Sequence, residues 1–205
     1  MSRYFAVLNR PLPLDSPAGP DGSSEPQPAV RPNEYTGLIQ RLFHSPSVVA
    51  VIGTGSGEGV TRICEEIGLE LSLLGKRVVL VSVNALLHSS PLDLPDETAF
   101  IQGPMRNVWL WPAPVGSHLE FFKPRNPAAL PENWLDSVRR NFDSVLLDCP
   151  AVETAPGGAA IGAMADAAVL AVEASRTSKH QILSDQRALQ LSGVKLAGCI
   201  MIKTK

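Results

Sequence analysis

Long apolar runs are missing from this chain. No stretch of its 205 residues reaches the roughly 18 consecutive apolar residues that span a bilayer. The opening MSRYFAVLNRPLPL is too briefly apolar for a secretory leader. Cysteine is scarce: Cys64, Cys149 and Cys199 are odd in number and lack CxxC spacing. That argues against a disulfide framework or a zinc site and for a reducing compartment. Excess positive charge is absent too, with 18 Lys and Arg against 20 Asp and Glu and a net charge of −2. Neither a nucleic-acid footprint nor a polybasic membrane arm is expected. His44, His88, His118 and His180 show no ligand spacing and read as surface or loop residues. What is present is a globular composition, 44% hydrophobic and 19% charged, long enough to bury a full core. A cytoplasmic globular protein is the expectation.

Composition divides the chain at residue 33. Pro11, Pro13, Pro17, Pro20, Pro26, Pro28 and Pro32 crowd the first part. Proline fixes φ and removes a donor, so 1–33 is expected to be a flexible tail and 34–205 an α/β domain. Within the tail, Tyr4 to Leu8 is apolar. It reads as an unstructured start, a tethered docking peptide, or a strand added to a sheet edge.

Beyond the tail, helices and strands alternate. Asn33 can cap a helix from Glu34 to Phe43. Short apolar runs at 48–53, 78–83, 108–111, 144–148, 167–172 and 196–202 suit strands covered on both faces. Val60–Leu74, Leu130–Asn141 and Ser178–Ser192 suit helices, and Gly157–Met164 a short small-residue helix. The pattern predicts a doubly wound, mainly parallel sheet with helices on both faces. The stretch from Asn84 to Asn107 reads as loop, with a short helix near Glu97–Gln102. Trp109 and Trp111 are expected to be buried, one on each side of the sheet. Phe121-Phe122 fit either a partner contact or packing on the sheet edge.

Ligands of such sheets sit at the carboxyl ends of the strands. There, Gly55-Ser56-Gly57-Glu58-Gly59-Val60-Thr61 follows a strand and opens a helix. Glycines let a phosphate approach the backbone, and the helix N-terminus favours an anion. The loop spacing calls for lysine at position 60, where valine stands. Arg62 either supplies the missing charge or pairs with Glu65 and Glu66 along the helix. Asp148 at a strand end is either a metal ligand or a partner of the glycine loop. Cys149 beside it reads as a small buried filler.

VVAVIGTGSGEGVTR, LGKRVVLVSVN, NFDSVLLDCPAV and ADAAVLAVEASRTSKHQI…LSGVKLAGCIMI together resemble the bacterial tyrosine autokinases of capsule and exopolysaccharide assembly. These lie within the ParA- and MinD-like deviant P-loop ATPases. The resemblance runs from Glu34 to the C-terminus and implies a P-loop NTPase-like fold. It makes Gly55, Gly57, Glu58, Gly59, Val60, Thr61 and Arg62 a degenerate nucleotide or anion loop. Thr61 and Asp148 become its metal-side pair. The departures fall on the chemistry. Val60 replaces the phosphate-binding lysine, and Ser82 and Asn84 replace an aspartate pair. Ile202 falls near the position of an adenine-contacting asparagine. Gly37 and Gln40 replace both arginines of a Glu-x-x-Arg-x-x-Arg assembly motif begun by Glu34. The two tyrosines, Tyr4 and Tyr35, do not form the phosphorylated cluster of such kinases.

A hydrogen bond to a charged group is worth about 1.5–3 kcal/mol, so losing the lysine weakens triphosphate binding roughly 10- to 100-fold. Losing a general base costs on the order of 10²–10⁴ in rate. An intact fold with its chemistry replaced is the pattern of a pseudoenzyme. The resemblance then implies a non-catalytic partner for the cytoplasmic part of an inner-membrane polysaccharide co-polymerase, as monomer or dimer. It implies no catalytic residue, no nucleic acid, and at most weak ATP or ADP with Mg²⁺. The alternatives are a residual tyrosine kinase or ATPase of the same pathway, and a nucleotide- or anion-sensing module.

Overall fold

The computed structural model describes residues 3–6, 35–43, 47–55, 59–88, 100–103, 105–111, 134–153 and 156–202. Eight strands form one sheet: β1 (Arg3–Ala6), β2 (Ser47–Gly53), β3 (Val78–Ser82), β4 (Ile101–Gln102), β5 (Val108–Leu110), β6 (Ser144–Cys149), β7 (Ala167–Glu173) and β8 (Leu196–Ile202). Their order is β1-β8-β7-β2-β6-β3-β5-β4. The six inner strands run parallel, and β1 and β4 are antiparallel edges. Six helices connect them: α1 (Thr36–Leu42), α2 (Val60–Leu73), α3 (Val83–His88), α4 (Trp134–Asn141), α5 (Pro156–Ala163) and α6 (Lys179–Leu191). The doubly wound α/β architecture is the one the apolar strands predict. None of the described helices is long and apolar enough to cross a membrane.

Alternate residues of each strand feed opposite layers. Val49, Val51, Leu80 and Leu146 pack with Leu38 and Phe43 of the α1 region and Ile63, Ile67 and Leu71 of α2. Val48, Ala50, Val79 and Leu147 pack with Leu86, Trp134, Val138, Ile161 and Leu189 from the other four helices. β2 is buried along its whole length because it lies between two parallel neighbours with helices on both faces.

Four local expectations change. The chain turns into α3 directly after β3 instead of entering a loop, because Ser82 at the strand end caps it: Ala85 N donates to Ser82 Oγ at 3.4 Å. No helix runs to Gln102: Ile101 and Gln102 form β4 against Leu110 and Trp109, while 97–99 lie outside the described residues. Trp109 and Trp111 share one face, since residues two apart on a strand point the same way, and both pack on the layer of Leu147 and Trp134. α1 begins at Thr36 after Tyr35, which makes no side-chain cap; Asn33 and Glu34 lie outside the described residues. Of the readings for the first residues, Arg3–Ala6 takes the added strand, pairing Phe5 with Ile200 on the β8 edge. Phe121 and Phe122 fall outside the described residues.

Candidate functional site

The glycine loop joins β2 to α2 at the carboxyl end of the sheet. Thr54 is buried, its N–H donates to the Ala171 carbonyl at 3.1 Å, and its Oγ1 lies 3.1 Å from Thr177 Oγ1. The loop is thereby tied to the turn after β7. Gly57 and Glu58 lie outside the described residues. The loop returns at Gly59, whose φ of 67° is a left-handed conformation that glycine adopts without a Cβ penalty. Its carbonyl accepts from Ile63 N at 3.0 Å and starts α2.

Val60 opens that helix. It is partly buried and packs against the α1–α2 layer. A valine in this position serves packing and carries no charge toward the loop. Thr61, next in line, is exposed, and its Oγ1 donates to Asp148 Oδ2 at 2.7 Å. Burial pushes the Asp148 carboxyl above its ordinary 3.8; the Thr61 bond opposes this, and nearby Glu65 adds to it. Asp148 sits beside Ser82 in the parallel pairing of β6 and β3. The position that the resemblance gives to an aspartate thus holds a hydroxyl, engaged in capping α3. Asn84 is exposed on the first turn of α3.

Arg62 is exposed and turned along the helix, its Nε donating to Glu66 Oε1 at 2.8 Å. This pairing holds the guanidinium pKa above its ordinary value. Glu66 Oε2 in turn accepts from Tyr35 Oη at 3.0 Å, so one carboxylate links α2 to the start of α1. Of the two readings of Arg62, the structure displays the helix pair. Cys149 and Cys64 are buried, and desolvation first, then the Asp148 charge, raises both thiol pKa values. None of the three cysteines forms a disulfide. Among the described residues no group of three potential ligands is placed to hold a metal ion.

A cleft of about 320 Å³ opens beside the loop. Thr54 and Gly55 line it with Glu153, Glu173, Arg176 and Gln181. Gln181 Nε2 donates to Glu153 Oε1 at 2.6 Å and to Asp185 Oδ1 at 2.9 Å, while Arg176 Nη1 lies 3.5 Å from Glu173 Oε2. Sequence reasoning did not assemble this cleft. Its one local signal was the SRTS run after an apolar strand, where Ser178 caps α6 by accepting from Gln181 N at 3.1 Å.

No family model matches the chain, and none of the curated proteins does. Solved structures do. The BceF tyrosine kinase domain is 22% identical, over 84% of this chain and 79% of that one, with a TM-score of 0.63. The kinase domain of the Escherichia coli tyrosine kinase Etk is 11% identical, over 86% and 76%, with a TM-score of 0.63. The Pyrococcus furiosus cell division ATPase MinD is 21% identical, over 75% and 70%, with a TM-score of 0.56. The chain has the P-loop NTPase-like fold common to these bacterial tyrosine kinase domains and MinD.

Proposed function

We propose that this protein is a non-catalytic, tyrosine-kinase-like component of exopolysaccharide or capsule assembly. It acts by binding the cytoplasmic part of an inner-membrane polysaccharide co-polymerase and is recruited to that membrane. The observation that carries the non-catalytic reading is the orientation of the side chains at and beside the glycine loop. Val60 packs inward, Ser82 caps a helix, and Arg62 is paired with Glu66. Among the described residues of the loop and its first helical turn, none is a lysine or aspartate, and the arginine is turned to Glu66. Among its described residues the neighbouring cleft adds Glu153 and Glu173 against Arg176, which disfavours a polyanion.

One observation favours a second reading. Thr61 Oγ1 donates to Asp148 Oδ2 at 2.7 Å, and the resemblance makes these two a metal-side hydroxyl and carboxylate, so weak Mg²⁺–nucleotide or anion binding without turnover is the alternative. Calorimetric titration of the purified protein with ATP and ADP, with and without Mg²⁺, separates the two. The proposal expects no autophosphorylation and negligible hydrolysis. Phosphotyrosine on Tyr4 or Tyr35 that disappears in Asp148→Ala overturns it. Pull-down by the cytoplasmic tails of a co-polymerase tests the partner, and failure of those tails to bind rejects it.

A further inference from the structure

α2 and α6 end alike. α2 closes on Leu73-Leu74-Gly75-Lys76, and α6 on Leu191-Ser192-Gly193-Val194-Lys195. Gly75 and Gly193 have φ of 80° and 81°, and Lys76 N and Val194 N reach back to the Leu71 and Leu189 carbonyls at 3.1 and 3.0 Å. This is the glycine stop that ends a helix in a left-handed residue. Leucine side chains protrude just before each stop. Leu73 is 72% exposed, Leu74 66% and Leu191 82%, the three highest values for large apolar side chains among the described residues.

The topology brings these stops to one end of the molecule. A crossover helix runs back against its parallel strands, so its C-terminus lies where the strands begin, opposite the glycine loop. Basic residues gather along the same edge: Lys76 and Arg77 before β3, Arg106 before β5, Arg139 and Arg140 before β6, and Lys195 before β8. The described carboxylates immediately before the parallel strands are Asp143, before β6, and Asp166, before β7. They lie 3.6 Å from Arg77 Nε and 2.8 Å from Arg139 Nη2. Lys76, Arg106, Arg140 and Lys195 are the surplus, with the Lys76 ammonium donating to the Phe43 carbonyl. Further back, Glu70 on α2 and Arg187 on α6 offset each other. From β8 to β5 the sheet order counts five steps, about 24 Å at roughly 4.8 Å a strand. An aromatic cavity of about 280 Å³ lined by Arg77, Phe100, Trp109, Asn141 and Phe142 adjoins this edge.

We propose that this strand-start end of the domain docks directly on an anionic lipid bilayer. The leucines enter the boundary between headgroups and acyl chains, and the arginines and lysines lie on lipid phosphates. A single exposed leucine needs no explanation. Three at one end, Leu73 and Leu74 on one side of the sheet and Leu191 on the other, with a positive surplus along the strand starts between them, match the two interactions that hold peripheral proteins to membranes. A nucleic acid offers no apolar phase to aliphatic side chains. Docked this way, the glycine loop faces away from the membrane. The inference does not depend on the reading of that loop, so either can fail alone.

Vesicle flotation of the full chain tests it. Binding is expected to mixed phosphatidylglycerol–phosphatidylcholine vesicles, not to phosphatidylcholine alone, and to weaken as salt rises. Near the surface each basic residue is worth roughly a five-fold change in binding, so Arg140→Glu with Lys195→Glu should weaken it by about 25-fold or more. Leu73→Ser with Leu191→Ser should weaken it by roughly 10-fold or more, depending on how deeply the two side chains enter the bilayer. Lys179→Glu, at the opposite end, should leave it unchanged. All these positions are exposed, and a native melting temperature verifies each variant. Absence of binding to anionic vesicles overturns the inference, as does binding indifferent to both double substitutions. Capture by duplex DNA without vesicle binding also overturns it.

Discussion

Thr61 and Asp148 lie 87 residues apart and meet through a 2.7 Å hydrogen bond. The bond joins the first turn of α2 to β6. It leaves a partly buried carboxylate facing the glycine loop with one protein hydroxyl donating to it. Because burial outweighs that donor, the carboxyl holds its proton to a higher pH than an ordinary aspartate.

The pH dependence of stability follows from that direction. A carboxyl raised in the folded state contributes stability that is fully present below its ordinary 3.8 and is lost as pH rises through the raised value. Near neutral pH an ionised Asp148 therefore costs stability. Asp148→Asn, which still accepts from Thr61, should melt higher than the parent near neutral pH. Its lead should shrink with acidification and vanish below the ordinary value. Thermal denaturation across the acid range measures this; a lead that stays constant would contradict it.

Val60→Lys probes the loop. Val60 is partly buried, so the exchange should cost about 1 kcal/mol of stability. If the loop keeps an anion-ready shape, the new ammonium should tighten ATP binding roughly 10-fold or more. Kinase activity should not return, because Ser82 and Asn84 remain. Calorimetry showing parental affinity would mean that the loop has closed over its anion site.

Tyr35→Phe should loosen α1 from α2. It deletes the 3.0 Å bond to Glu66 and leaves the Arg62–Glu66 pair in place. A loss of about 1 kcal/mol is expected, or roughly 2–4 °C in melting temperature for a domain of this size. An unchanged melting temperature would show that apolar packing around Leu38 and Phe43 alone holds the helix.

Assembly through a Glu-x-x-Arg-x-x-Arg contact is not expected, because Gly37 and Gln40 stand at both arginine positions. Gly37 and Gln40 are exposed on α1, and a Cβ at Gly37 would meet nothing within 4 Å. Positions 37 and 40 thus face outward without an arginine, and the exposed arginine of α1 is Arg41. Light scattering should report a monomer or dimer; a stable octamer at micromolar concentration would refute this.

Much of the architecture was legible residue by residue. β2, β6 and β7 are short, doubly apolar runs, and α2 and α6 end at glycines, so strand, helix and stop each have a local cause. The glycine loop and the valine inside it were also visible, because a phosphate loop is contiguous. Local reasoning failed where a neighbour decides. β4 is two residues long and exists through its partner β5. α3 depends on where Ser82 falls at the end of β3. Periodicity names a strand but not its partner, and β1 finds the β8 edge across a proline-rich interval.

What depended on tertiary structure was mostly polar. Arg62 had two possible roles in the sequence, and the position of Glu66 one turn away, held by Tyr35, selected one. Glu153, Glu173 and Gln181 come from three separate segments and share a cleft because parallel strands end together. The sequence by itself determined the net charge of −2 and the absence of a basic run. Lys76, Arg106, Arg140 and Lys195 are scattered along the chain, so no window of sequence shows them as a patch. Repeated right-handed crossovers return the chain to the same end of the sheet before each parallel strand. That geometry, and not composition, brings those charges to the same end of the sheet as Leu73 and Leu74 on one side and Leu191 on the other.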